Sequence, residues 1–234
     1  MDARISGSVG AQVRRVTERI ADAARRCGRA EDAVRLVAAT KSVSVERIRD
    51  GIAAGLTVLG ENRLQEALPK IQALRGEPVQ WHFIGALQRR KVRDVVGRFE
   101  LIHSVDTIDL AEEIDRRSQA AGITQAVLLE VNVGGEKSKS GFFPDELERA
   151  LPFLMNMVHI GVKGLMAIPP PASDPEQTRP YFRALRELAL ALSRQANASM
   201  TELSMGMSND YVVAVEEGAT MVRVGTAIFG ERHV

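Results

Sequence analysis

The chain has 234 residues, 45% of them hydrophobic and 26% charged, which is the ordinary range of a globular protein able to bury a full core. Its 31 basic residues nearly balance 30 acidic ones, so no overall field draws it to nucleic acid or an anionic membrane, and any anion it binds must be held by a local site. The single cysteine, Cys27, excludes an internal disulfide framework and fits a reducing compartment; within "AARRCGRA" it reads as an inert thiol at a helix end.

The opening stretch, "MDARISGSVGAQVRRVTERIADAARRCG", has charges of both signs at helical spacing and no continuous apolar core. It predicts an amphipathic helix within residues 1–30 that caps the bottom of the fold, and it is not a secretory signal. No later window reaches the ~18 uninterrupted apolar residues of a membrane span, so a cytoplasmic protein with neither membrane nor nucleic-acid partners is expected.

From residue 34 the chain repeats one cycle: a short apolar, β-branched run, a polar turn, then a helical pattern. The strand candidates are 34–40, 57–60, 79–85, 101–105, 126–133, 159–168, 201–204 and 220–225. Between them lie helical patterns such as "VERIRDGIAAG", "NRLQEALPKIQALRG", "QRRKVRDVVGRF" and "TIDLAEEIDRRSQAAG", several ending at a glycine as C-terminal caps require. Strict alternation argues a parallel sheet, because parallel neighbours need crossover connections. Eight such units predict a closed (β/α)8 TIM barrel over 34–231, in one domain spanning 1–234.

In such a barrel the chemistry sits at the C-terminal ends of the strands, and phosphate often docks on the loops after the seventh and eighth. Lys41 ends the first strand. The late loops "SMGMSND" and "RVGTAIFG" offer the hydroxyls of Ser204, Ser208 and Thr226, with Gly206 and Gly225 letting backbone approach an anion. A lysine partly desolvated at the mouth is expected to lose pKa, and its neutral amine then forms a Schiff base with a carbonyl. A lysine imine facing a phosphate cradle fits either a sugar-phosphate lyase of the aldolase type or pyridoxal phosphate (PLP). Arg223, just before Gly225, either meets the ligand or makes a structural ion pair.

Other candidates are weaker. "VGGEKSKSG" lacks P-loop spacing and reads as a mobile loop whose Lys137 and Lys139 attract an anion. His82, His103, His159 and His233 never pair at metal-ligand spacing. His103 is either a pocket group or a satisfied core histidine. "QRRKVRDVVGR" reads as a solvated helix face, with no aromatics interleaved for stacking on bases.

The blocks "LVAATKSVS", "GENRLQEALPKI", "WHFIGALQRRK", "IHSVDT", "LLEVNVGGEKSKSGF", "GLMAIPPP", "LSMGMSNDY" and "AVEEGATMVRVGTAIFG" resemble, in order, those of the pyridoxal phosphate homeostasis protein family, from about residue 34 to 231. The resemblance implies a fold-type III PLP barrel like the N-terminal domain of alanine racemase, with PLP held by Lys41 as an internal aldimine. It implies phosphate contacts from Ser208, Gly225 and Thr226 with Ser204 and Met207 nearby, Arg223 near the pyridine nitrogen, and Asn62, His82 and Met166 at the ends of strands two, three and six. Arg90 stands where the family usually shows Asn, which puts any role of that position in doubt.

Racemisation needs an acid/base on each face of the substrate. In alanine racemase the tyrosine opposing the lysine comes from a second domain; here only Tyr181 and Tyr211 are available, both in helical segments, so a second base is missing by sequence. The resemblance therefore implies a monomeric carrier of PLP and related B6 vitamers that supplies apo-enzymes. The alternatives are an amino-acid racemase of weak or narrow activity and a class I aldolase, whose lysine is expected on a later strand.

Overall fold

A computed structural model describes residues 8–136, 138–197 and 200–231. Residues 1–7, Lys137 and His233 lie outside the described residues. The eight strands are β1 (Arg35–Ala39), β2 (Val58–Glu61), β3 (Gln80–Phe83), β4 (Leu101–Val105), β5 (Gln125–Val131), β6 (Ile160–Ala167), β7 (Glu202–Ser204) and β8 (Met221–Val224). They form a closed barrel in sequence order. All neighbours are parallel, and β1 closes on β8 with Val37 opposite Arg223. Each strand lies within two residues of its expected bounds.

Period-two alternation divides the core in two. Val37, Val58, Leu101, Leu128, Met166 and Met221 fill the barrel interior. Their neighbours along the strands, such as Ala38, Leu59, Ile102 and Leu129, face outward against helix residues such as Ile48, Leu147 and Phe182.

The helices on the outside are α1 (Val9–Arg26), α2 (Val45–Ala53), α3 (Leu64–Ala73), α4 (Val92–Val95), α5 (Ile108–Ala121), α6 (Pro144–Met155), α7 (Arg179–Ala196), α8 (Tyr211–Glu216) and α9 (Thr226–Phe229). Local chemistry sets their ends. The Thr107 hydroxyl accepts from the Leu110 amide at the start of α5, and Gly122 closes it in the left-handed region at φ 68°. Pro144 opens α6, where the Glu146 carboxylate reaches back to the Phe143 amide. The expected helix 88–99 forms only as a 3₁₀ turn over 89–91 and the single turn α4, because Val96 is extended (ψ 130°) and Gly97 is left-handed (φ 74°).

The helix after β8 is also only one turn long, and α1 takes the place beside it. Val9, Val13, Val16, Ile20, Ala23 and Ala24 are buried as α1 packs on α8, α9 and α2, so the helix completes the outer ring instead of capping the bottom. Arg26 pairs with Glu216 at 2.7 Å, and Arg29 donates to the carbonyls of Val215 and Ala219. Cys27 sits at the C-terminal end of α1, with its Sγ 3.7 Å from the Glu216 carbonyl oxygen. Among the described residues no helix is long and apolar enough to cross a membrane.

Candidate functional site

Lys41 stands two residues past the end of β1, in a turn closed by the Val43 amide on the Thr40 carbonyl at 3.0 Å. Thr40 is fully buried, but the next step of the chain leaves the barrel wall, so Lys41 is exposed at the rim. The expected desolvation of this lysine is thus not supplied by the protein alone. Beneath the turn lies a buried network that sequence reasoning missed. Lys70 donates to the Thr40 carbonyl at 2.6 Å and to Glu61 Oε1 at 2.7 Å, and the Thr40 hydroxyl donates to the same oxygen at 2.7 Å. In "GENRLQEALPK" the acid that ends β2 and the lysine on α3 look like ordinary charged residues, and only their burial sets them apart.

The two late loops converge on the same rim. The half-buried Ser208 hydroxyl accepts from the amides of Gly225 at 3.2 Å and Ala227 at 3.3 Å, bridging the loops after β7 and β8. Met207 is exposed; its amide donates to Asp210 at 2.6 Å. Gly206 is left-handed (φ 90°), and a Cβ there would come within 2.5 Å of Ala214 Cβ. A Cβ on Gly225 would lie 3.3 Å from the Ala39 carbonyl oxygen, so the β8 loop rests directly against the end of β1. Thr226 is exposed at the start of α9.

Inside the barrel the remaining candidates join a polar chain. Arg223 is buried, donating to Ser204 Oγ at 2.6 Å, the Ser204 carbonyl at 2.8 Å and the Ala167 carbonyl at 3.0 Å. Ser204 Oγ is 2.8 Å from His103 Nδ1, and His103 Nε2 is 3.0 Å from His82 Nδ1. Ser204 therefore serves Arg223 and His103 inside the barrel, away from the Ser208 cradle. A guanidinium only donates, so the Ser204 hydroxyl hydrogen is free to serve His103 Nδ1, and the His103 Nε2 hydrogen then serves His82. Burial pushes His82 down to about 4 and His103 well below its ordinary value, which keeps both rings neutral. Burial lowers Arg223 to about 10, which leaves it charged at neutral pH.

On the other side of the mouth a cavity of ≈ 370 Å³ is lined by Asn62, Ile84, Glu130, Lys139, Ser140 and Met166. Asn62 Oδ1 is buried with no partner among the described residues. Glu130, on the strand opposite β1, is raised to about 7, chiefly by burial and further by Asp106, against the pull of Arg223. Sequence reasoning passed over Glu130 because one acid in "LLEVNV" looks like any strand residue. In the loop after β5 the Asn132 side-chain amide donates to the Glu136 carbonyl at 2.8 Å and Lys139 pairs with Glu136 at 2.7 Å. Arg90 is exposed and donates to Gln88 at 3.1 Å. Tyr211 is buried in α8 beneath Arg19, outside the barrel.

Glu130 and His82 make opposite contributions to stability over one pH window. His82 titrates near 6.5 when unfolded and about 4 when folded, so the unfolded state binds the extra proton and stability falls as pH drops between these values. Glu130 is raised from 4.5 to about 7, so the folded state binds the extra proton and stability rises on acidification over much the same range. Glu130→Gln removes the second contribution alone. Thermal melts from pH 7 to about 5 are therefore expected to show a steeper loss of Tm in Glu130→Gln than in wild type; parallel curves would contradict the assignment.

The barrel is of the alanine racemase type: the profile described as alanine racemase, N-terminal domain, matches residues 12–233. The alanine racemase of Clostridium difficile 630 in complex with cycloserine superposes with a TM-score of 0.72 over 93% of this chain and 60% of its own, and at 14% identity that likeness shows the fold alone. Sequence relatives are far nearer. The "Pyridoxal phosphate homeostasis protein" of Aquifex aeolicus is 50% identical over 93% of this chain and 96% of its own length, and its namesake in Escherichia coli 37% identical over 93% and 94%. PipY of Synechococcus elongatus, solved with PLP bound, is 38% identical with a TM-score of 0.79, over 90% of this chain and 100% of its own. The chain belongs to the pyridoxal phosphate homeostasis protein family.

Proposed function

We propose that this protein binds PLP with Lys41 Nζ as the covalent anchor and supplies it to apo-enzymes, serving as a reserve of the cofactor. The observation that carries this reading is the rim itself: an exposed lysine in the turn after β1, with the Ser208-bridged loops resting against the end of the same strand. When bound, PLP supplies an aldehyde to which amines add reversibly and a phosphate that needs fixed donors.

The residues present fit that group. The Ser208 and Thr226 hydroxyls and the Gly225 amide would hold the phosphate, while Gly206 lets the loop after β7 pack closely on Ala214 and Gly225 lets the loop after β8 pack closely on Ala39. Arg223 would meet the ring nitrogen from inside the barrel; lowered by burial only to about 10, it stays charged and would offer a hydrogen bond there. The chain Ser204–His103–His82 braces Arg223. Asn62 Oδ1 offers an unused acceptor and Met166 an apolar wall. The exposure of Lys41 suits release, because an incoming amine reaches the anchor from solvent. The protein works as a monomer in the cytoplasm on this reading.

Delivery is tested by mixing gel-filtered, PLP-loaded protein with an apo-aminotransferase in the presence of a phosphatase that destroys free PLP. Recovery of aminotransferase activity is expected; none would contradict delivery. One observation favours weak racemase activity as a second reading: Glu130, titrating about 7, faces the mouth from the strand opposite β1. Conversion of one enantiomer of an amino acid into the other, followed by chiral chromatography and lost in both Lys41→Ala and Glu130→Gln, would establish it.

A further inference from the structure

The turn that presents Lys41 is gripped by one face of α3, and we propose that Glu66 and Lys70 are positioning residues that fix the direction in which the Lys41 amine is offered. The inference rests on Lys41 being the anchor. Glu66 and Lys70 are four residues apart on α3 and therefore share a face. Glu66 Oε2 accepts from the Ser42 amide at 2.9 Å, and Lys70 donates to the Thr40 carbonyl at 2.6 Å. The Thr40 carbonyl belongs to the peptide plane before Lys41, and the Ser42 amide to the plane after it. With both rigid planes fixed, φ and ψ of Lys41 are fixed, and so is its Cα–Cβ direction.

Two further features support the grip. Ser42 is a non-glycine residue at φ 60°, a sparsely populated conformation that persists only where neighbours hold it. Lys70 is itself buried, and it directs its ammonium at a main-chain carbonyl and at Glu61, with the Thr40 hydroxyl completing the set. A lysine kept only for an ion pair has no need of the Thr40 carbonyl; one that steadies this turn does.

Glu66 is the residue to change, since its side chain is partly exposed and its loss leaves no buried charge. Glu66→Ala, mixed with excess PLP, is expected to develop the visible band roughly tenfold more slowly than wild type, the scale of one lost charge-assisted hydrogen bond. Its Tm should fall by no more than about 6 °C, the cost of that one bond, with the protein fully folded at the assay temperature. Glu66→Gln keeps an oxygen acceptor for the Ser42 amide and is expected to restore most of the rate. The double variant Glu61→Gln/Lys70→Met, which removes both buried charges together, should slow the band by a similar factor. A wild-type rate in Glu66→Ala, or equal slowing in Glu66→Ala and Glu66→Gln with a matching fall in Tm, would overturn the proposal. Lys41→Ala separates the two ideas: if it forms the band at the wild-type rate, the anchor is wrong; if it forms none while Glu66→Ala matches wild type, only the positioning role fails.

Discussion

Lys41→Ala is expected to lose the visible absorbance band that wild type develops with PLP, and to retain PLP through gel filtration at least ~100-fold less well, a loss of about 2.7 kcal/mol. The cradle around Ser208 and the buried Arg223 do not depend on Lys41, so the variant should fold normally and still bind PLP weakly and reversibly. Lys139→Ala is the matched control. Lys139 also lines the mouth cavity, but it is paired with Glu136 on the far side of the barrel, and its loss should leave the band intact. Equilibrium dialysis together with absorbance measures both; equal retention by wild type and Lys41→Ala would rule out the covalent anchor.

Lys70→Met should destabilise the fold more than any of the substitutions at Lys41, Glu66, Glu130 or Lys139. Glu61 is fully buried, its Oε1 is satisfied by Lys70 and Thr40, and its Oε2 has no partner among the described residues. Removing the ammonium leaves an uncompensated buried carboxylate, which typically costs about 3–5 kcal/mol when one partner of a buried pair is deleted, about half of a typical domain's stability. Neutralising the carboxylate as well should recover most of the loss, because the amide oxygen introduced by Glu61→Gln in the double variant still accepts from the Thr40 hydroxyl. Urea titrations of wild type, the single variant and the double variant test this. A single variant within about 1 kcal/mol of wild type, the scale of an exposed pair, would show that the pair is hydrated.

The regular parts of the barrel were legible in the sequence because each strand is short, apolar and flanked by turn residues, and because the helical stretches between them keep their period. Misreadings arose where tertiary position governs. The pattern 88–99 keeps helical spacing, yet Gly97 stops it after one turn. α1 has a clear apolar face, but only the shortness of α9 explains why that face lies in the outer ring. Lys41 and the late loops could be placed together because strand order puts the ends of β1, β7 and β8 side by side. The polar interior could not be placed so. His103 is one residue in "LIHSV", and its contacts to His82 and Ser204 cross from β3 through β4 to β7. Glu130 and Lys70 owe their interest to burial, and no local pattern reports burial of a charge.

Everything at the rim depends on where the cofactor is attached. Wild-type protein should be saturated with PLP, reduced with borohydride, digested and mapped by mass spectrometry. A single pyridoxyl adduct on Lys41, absent without reduction and absent from a sample blocked beforehand with hydroxylamine, is the predicted result. An adduct confined to another lysine, or spread over surface lysines with Lys41 unmodified, would contradict it and detach the cradle around Ser208 from PLP.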